Sequence, residues 1–149
     1  MAEPKTRPTS ASVAAFLRAI PQPERRRDAR TVAAIMRAAA GAQATMWGPN
    51  IVGFGRHPIT GSAGRATDWP VAAFAPRSTG LVLYFQHDFL PHHPLRRRLG
   101  KHRLGKSCLY IRRLADVDVP ILRALISSSV QAVHARDPDQ APPRPMLSN

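Results

Sequence analysis

Acidic residues are scarce in this 149-residue chain: 9 Asp and Glu stand against 22 Lys and Arg, which leaves a formal charge of +13. A surplus of that size concentrates anions around the molecule and speeds their arrival. Cysteine is scarcer still, with one, which excludes an internal disulfide framework and a cysteine-rich zinc site and suits a reducing compartment. No run of about 20 apolar residues occurs, so no segment reads as a membrane-spanning helix. The first apolar stretch is broken by Arg18 and has helical spacing, which sets it apart from a signal peptide. Lysine is rare as well: 3 of the 22 basic residues, the other 19 being arginine.

What remains is a hydrophobic share of 44%, enough for one domain with a single core. Residues 1–9 carry Pro4 and Pro8 among polar neighbours and read as a flexible arm. From Thr9 or Ser10, both N-cap residue types, Val13, Phe16, Leu17 and Ile20 recur at helical spacing until Pro21 and Pro23 end that helix and open the next. The second helix buries Val32, Ile35, Met36 and Ala39, with Gly41 placed to close it in a left-handed cap.

The pattern then shifts to a period of two. Segments 44–47, 51–55, 69–75, 81–85 and 109–111 are short and β-prone, with glycine and proline between them, and residues 57–68 read as a hairpin loop. Residues 88–99 predict a short helix that Pro91 and Pro94 confine to its second half. Asp118 opens a closing helix with Ile121, Leu122, Leu125, Ile126 and Val130 on its core face. The final stretch, 135–149, is proline-rich and aperiodic and reads as a disordered tail. The expectation is one α+β domain over residues 10–134: two N-terminal helices, an antiparallel sheet of about five short strands with helices packed on one face, and a C-terminal helix. Strand alternation places Leu81, Leu83, Phe85, Leu109 and Ile111 inward, and Val82, Tyr84, Gln86, Cys108, Tyr110 and Arg112 on the face without helices.

Residues 100–107, GKHRLGKS, fit the phosphate-loop pattern GxxxxGK[ST]. That motif acts through a strand before it and a helix after it, so that backbone N–H groups and a helix N-terminus face the phosphates. Here a basic run precedes it and a strand-like segment follows, so the match carries no nucleotide-hydrolysing enzyme. The charge around it still matters. Between Asp88 and Asp116 no acid occurs, while Arg96, Arg97, Arg98, Lys101, Arg103, Lys106, Arg112 and Arg113 supply fixed cations, and two of the chain's three lysines sit in this loop. A compact lysine retained in an arginine-rich chain suits close approach to an anion. Arg77, in a turn after Pro76, has the planar fork for a carboxylate or phosphate. Ser107 and Cys108 lack a nearby base held by an acid, which argues against nucleophilic catalysis.

The segments 46–55 (MWGPNIVGFG), 75–77 (APR), 100–111 (GKHRLGKSCLYI) and 114–118 (LADVD) together resemble the YdhG-like family of small bacterial domains, over about residues 10–132. The resemblance implies a cytoplasmic single-domain α+β fold with no established enzymatic activity. Some members of that family are described as frataxin-like intracellular iron chaperones. Such iron handling relies on carboxylate oxygens, and the first 40 residues hold only Glu3, Glu24 and Asp28 against eight Lys and Arg, so no acidic ridge is present. The expectation for function is therefore a non-enzymatic module without cofactor or metal. It binds an anionic small molecule or acidic protein surface through Arg77, Lys101, His102, Lys106 and Ser107, walled by Trp47, Tyr84 and Tyr110. Non-specific nucleic-acid binding is the alternative that the net charge favours, and frataxin-like intracellular iron delivery is the alternative that the resemblance implies.

Overall fold

A computed structural model describes residues 7–60, 66–86, 89–105 and 107–136. The chain opens with β1 (Pro8–Thr9), then α1 (Val13–Arg18), which Ser12 caps by accepting from the Ala15 N–H at 3.0 Å. The cap falls later than Thr9 or Ser10 because Pro8 and Thr9 are engaged in pairing with Trp47 and Met46. α2 (Pro23–Ala40) starts with proline in its first turn and ends at Gly41, whose φ of 64° is left-handed. Both features follow from proline's missing N–H and glycine's missing Cβ.

The strands β2 (Ala44–Trp47), β3 (Ile51–Phe54), β6 (Ala72–Arg77), β7 (Gly80–Tyr84), β8 (Arg103–Leu104) and β9 (Cys108–Ile111) join β1 in an antiparallel sheet ordered β1-β2-β3-β6-β7-β9-β8. Among the described residues the sheet therefore has seven strands, where the sequence predicts about five. β1 and β8 are two residues each, too short to carry a period of two. Residues 57–68, expected as loop, include a separate hairpin, β4 (His57–Thr60) paired with β5 (Ala66–Trp69). The single strand expected over 69–75 is two, because Pro70 offers no N–H for a ladder and the chain bends there before Val71 N–H donates to the Phe54 carbonyl at 3.0 Å. After β7, Pro94–Arg98 forms a 3₁₀ helix in the second half of the expected helical stretch, and Leu114–Asp116 forms another. α3 (Val119–Arg136) closes the described chain and runs past the predicted boundary at 134. The remainder of the expected tail and most of the expected arm lie outside the described residues.

Register sorts the two faces of β7 and β9 as alternation predicts, except that Gln86, expected on the face without helices, lies past the end of β7 and reaches α3 instead. Phe74 pairs with Val52 and Leu83, and Leu83 with Leu109, forming one fully buried row under the helices. Val32, Ile35 and Met36 of α2 and Leu122, Leu125 and Ile126 of α3 complete this core. Two polar contacts pin the helices to it. Gln86 and the buried Ser129 exchange hydrogen bonds at 2.9 and 2.7 Å, and Leu114 N–H donates to Asp28 Oδ2 at 3.1 Å. Asp118 caps α3, accepting from Ile121 N–H at 3.1 Å. Asp118→Ala should lower stability by about 1 kcal/mol, the usual worth of such a cap, read as a shifted urea midpoint with unchanged slope.

Candidate functional site: a basic groove beside Tyr110

The opposite face of the sheet carries small residues at its centre. Gly53, Ala73 and Ala75 are buried there although the helices pack on the other side. Trp47 explains the first: a Cβ on Gly53 would meet its indole at 2.4 Å, so the ring packs directly against that glycine, beside Trp69 at 6.5 Å between centroids. Trp47 is 1% exposed, which removes it as an open wall for a ligand, and its indole N–H has no hydrogen-bond partner. Across the row holding Ala75 and Val82, Arg77 donates to the Tyr84 hydroxyl at 3.3 Å. The two long side chains thus meet over the small residues between them.

Further along, the β6–β7 turn, β7, β9 and the segment before β8 enclose a groove of about 300 Å³. Lys101, His102, Arg103 and Arg112 line it, with Tyr110, Val82 and Thr79 as walls. Each is placed by a distinct local cause. Leu99 to Lys101 is stitched to Asp116 to Asp118 by two backbone bonds, Asp118 N–H to the Leu99 carbonyl at 2.7 Å and Lys101 N–H to the Asp116 carbonyl at 3.0 Å. That close approach demands Gly100, which has φ 111° and whose Cβ would sit 2.6 Å from the Asp116 carbonyl oxygen. His102 Nδ1–H donates to the Gly100 carbonyl at 2.7 Å. The bond fixes the tautomer and leaves Nε2 as an acceptor in the neutral ring and a donor in the imidazolium. Arg103 lies over the Tyr110 ring at 4.2 Å, a cation–π contact that register supplies by pairing the two residues. Arg112 follows Tyr110 by two residues and so shares its face.

Among the described residues one acid, Asp116, borders the groove, and it pairs with Arg113 at 3.6 Å. Lys101 and Arg112 are exposed and have no carboxylate partner among the described residues. Burial lowers the pKa of His134 near the end of α3 below the usual imidazole range, but His134 does not line this groove.

Of the residues expected to form one site, Lys101, His102 and Tyr110 come together here. Ser107 and Tyr84 border a neighbouring, mostly apolar depression with Trp69 and Gln86. Ser107 stands apart because it belongs to the β8–β9 turn, where its carbonyl accepts from Phe85 N–H at 2.8 Å. Arg77 faces a third cavity, and Lys106 lies outside the described residues. Residues 100–107 are preceded by a 3₁₀ helix and followed by β9, so no helix N-terminus follows the glycine-lysine-serine run. The free Cys108 is partly buried on the same face as Tyr110.

Among the described residues, no three His, Cys, Asp or Glu side chains gather as a metal-binding set, and no helix is long and apolar enough to cross a membrane. Comparison with family models, with curated proteins and with solved structures yields no match to this chain.

Proposed function

We propose that this protein is a cytoplasmic YdhG-like domain acting as a non-enzymatic binding module, which holds an anionic small molecule in the groove between residues 79–82 and 101–103. The motif resemblance and the α+β architecture support the family reading. The groove supports the binding: Lys101, Arg103 and Arg112 border one concavity beside Tyr110, and Asp116, the one acid among the described residues of its lining, is already paired to Arg113. Such an arrangement gives an incoming anion charge-assisted hydrogen bonds on one side and a ring wall on the other. Lys101 supplies a mobile point charge, whereas Arg103 is held in place by the tyrosine beneath it.

Calorimetric titration with inorganic phosphate and with citrate tests the reading. Removing two cations in Lys101→Ala with Arg112→Ala should weaken binding at least about tenfold, since each charge-assisted bond is worth roughly 1.5–3 kcal/mol. Both residues are exposed, so the melting temperature should hold. Undiminished binding in the double variant would remove the groove as the site. Binding that instead extends to any oligonucleotide and collapses with salt would mark general phosphate-backbone attraction.

A further inference from the structure

A second cavity, of about 320 Å³, lies on the far side of the β6–β7 turn and shares no lining residue with the basic groove. Its walls come from three places distant in sequence: the α1–α2 connection, the β2–β3 turn at Asn50, and the end of β6. Phe16, Ile20, Pro21 and Pro76 make one part of the lining apolar. Arg25 and Arg77 border the rest, and no carboxylate among the described residues does. Arg25 is partly buried, and its Nε–H is fully shielded from solvent without an acceptor. Arg77 spends one nitrogen on the Tyr84 hydroxyl at 3.3 Å, which holds the side chain while its other donors stay available. Asn50 and Ser78 add neutral polar residues to the lining.

We propose that this cavity binds the carboxylate of a small organic acid whose body is aromatic or branched and apolar. The volume stands at the lower end of small-molecule pockets, which run from about 300 Å³ upward, so the occupant is small. A planar carboxylate matches a guanidinium fork with two parallel bonds. Phosphate fits less well, because its remaining oxygens would turn toward Phe16, Ile20 and the prolines and lose hydration without gaining partners. α2 begins at the same rim, and Gln22 makes no side-chain cap there, so the helix's positive end adds to the attraction.

Benzoate is the probe, titrated into the full chain by calorimetry, with benzyl alcohol as its uncharged counterpart and phosphate as a competitor. Benzoate should bind, benzyl alcohol should not, and phosphate should fail to displace it. Arg25→Gln and Arg77→Gln should each weaken benzoate at least about tenfold, while Lys101→Ala with Arg112→Ala leaves it unchanged. The last comparison separates this cavity from the basic groove, so either can fail alone. If Arg25→Gln lowers the melting temperature, the exposed Arg77→Gln carries the test. Absence of benzoate binding, equal binding of benzyl alcohol, or full affinity in the Arg77 variant would each overturn the proposal.

Discussion

Phe74→Ala should destabilise the protein by about 3–5 kcal/mol. Phe74 is wholly buried at the middle of β6, the central strand, with Val52 on one side and Leu83 on the other, both equally buried. The core of α2 and α3 closes over this row, so truncation leaves a ring-sized void that several elements would have to move together to fill. A domain's whole stability is about 5–15 kcal/mol, so the variant should keep only part of it. For a chain of this size the melting temperature should fall by roughly 10 °C or more. Thermal melts followed by circular dichroism measure it, and a loss below about 1 kcal/mol would show that the core collapses into the gap instead of holding its shape.

The second large effect concerns glycine. Gly80→Ala should cost roughly 3 kcal/mol or more, combining strain from an unfavourable backbone region with overpacking, whereas Gly41→Ala should cost about 1 kcal/mol. Both have positive φ, 144° and 64°. They differ in what stands next to them. A Cβ on Gly41 meets nothing within 4 Å, so only the left-handed conformation resists it. A Cβ on Gly80 would lie 2.5 Å from the Ile111 carbonyl oxygen and 2.7 Å from Arg112 Cα, and backbone where two paired strands meet cannot step aside as a side chain can. β7 and β9 would be pried apart where they form the groove, so Gly80→Ala should also weaken anion binding while Gly41→Ala leaves it intact. Equal costs for the two substitutions would refute the reading of Gly80 as a close-packing position.

The contrast between those glycines shows where sequence stops being informative. Gly41 is readable because a helical pattern ends just before it. Gly80 gains its importance from Ile111 and Arg112, about 30 residues away, and no local pattern reports that distance. The same division runs through the fold. α2 is readable from spacing, Pro23 and Gly41, and the inward rows of β7 and β9 from alternation. β1 and β8 are not, since two residues form a strand only because a partner receives them. Pro70 was the available signal that 69–75 holds a break.

For the candidate site, alternation places Arg112 with Tyr110, and the basic stretch includes Arg103, so two lining cations that the expected set omits had a signal in the sequence. The expected grouping of Arg77 and Ser107 with Lys101 overlooks two turns: one draws Arg77 to Tyr84, and the other seats Ser107 at the β8–β9 bend. Trp47 shows how burial reverses a reading based on residue type, since a glycine two strand positions from its partner Ile51 gives the indole a bed to lie in.

The two-residue strands at either margin of the sheet have a bearing on how the molecule behaves in a crowded solution. Each ends the ladder with a stub offering few free amide and carbonyl groups, and one of them bears the arginine that rests on Tyr110. A long, flat margin invites neighbouring copies to add themselves strand by strand toward fibrils; a stub with a charge on it gives them almost nothing to grip.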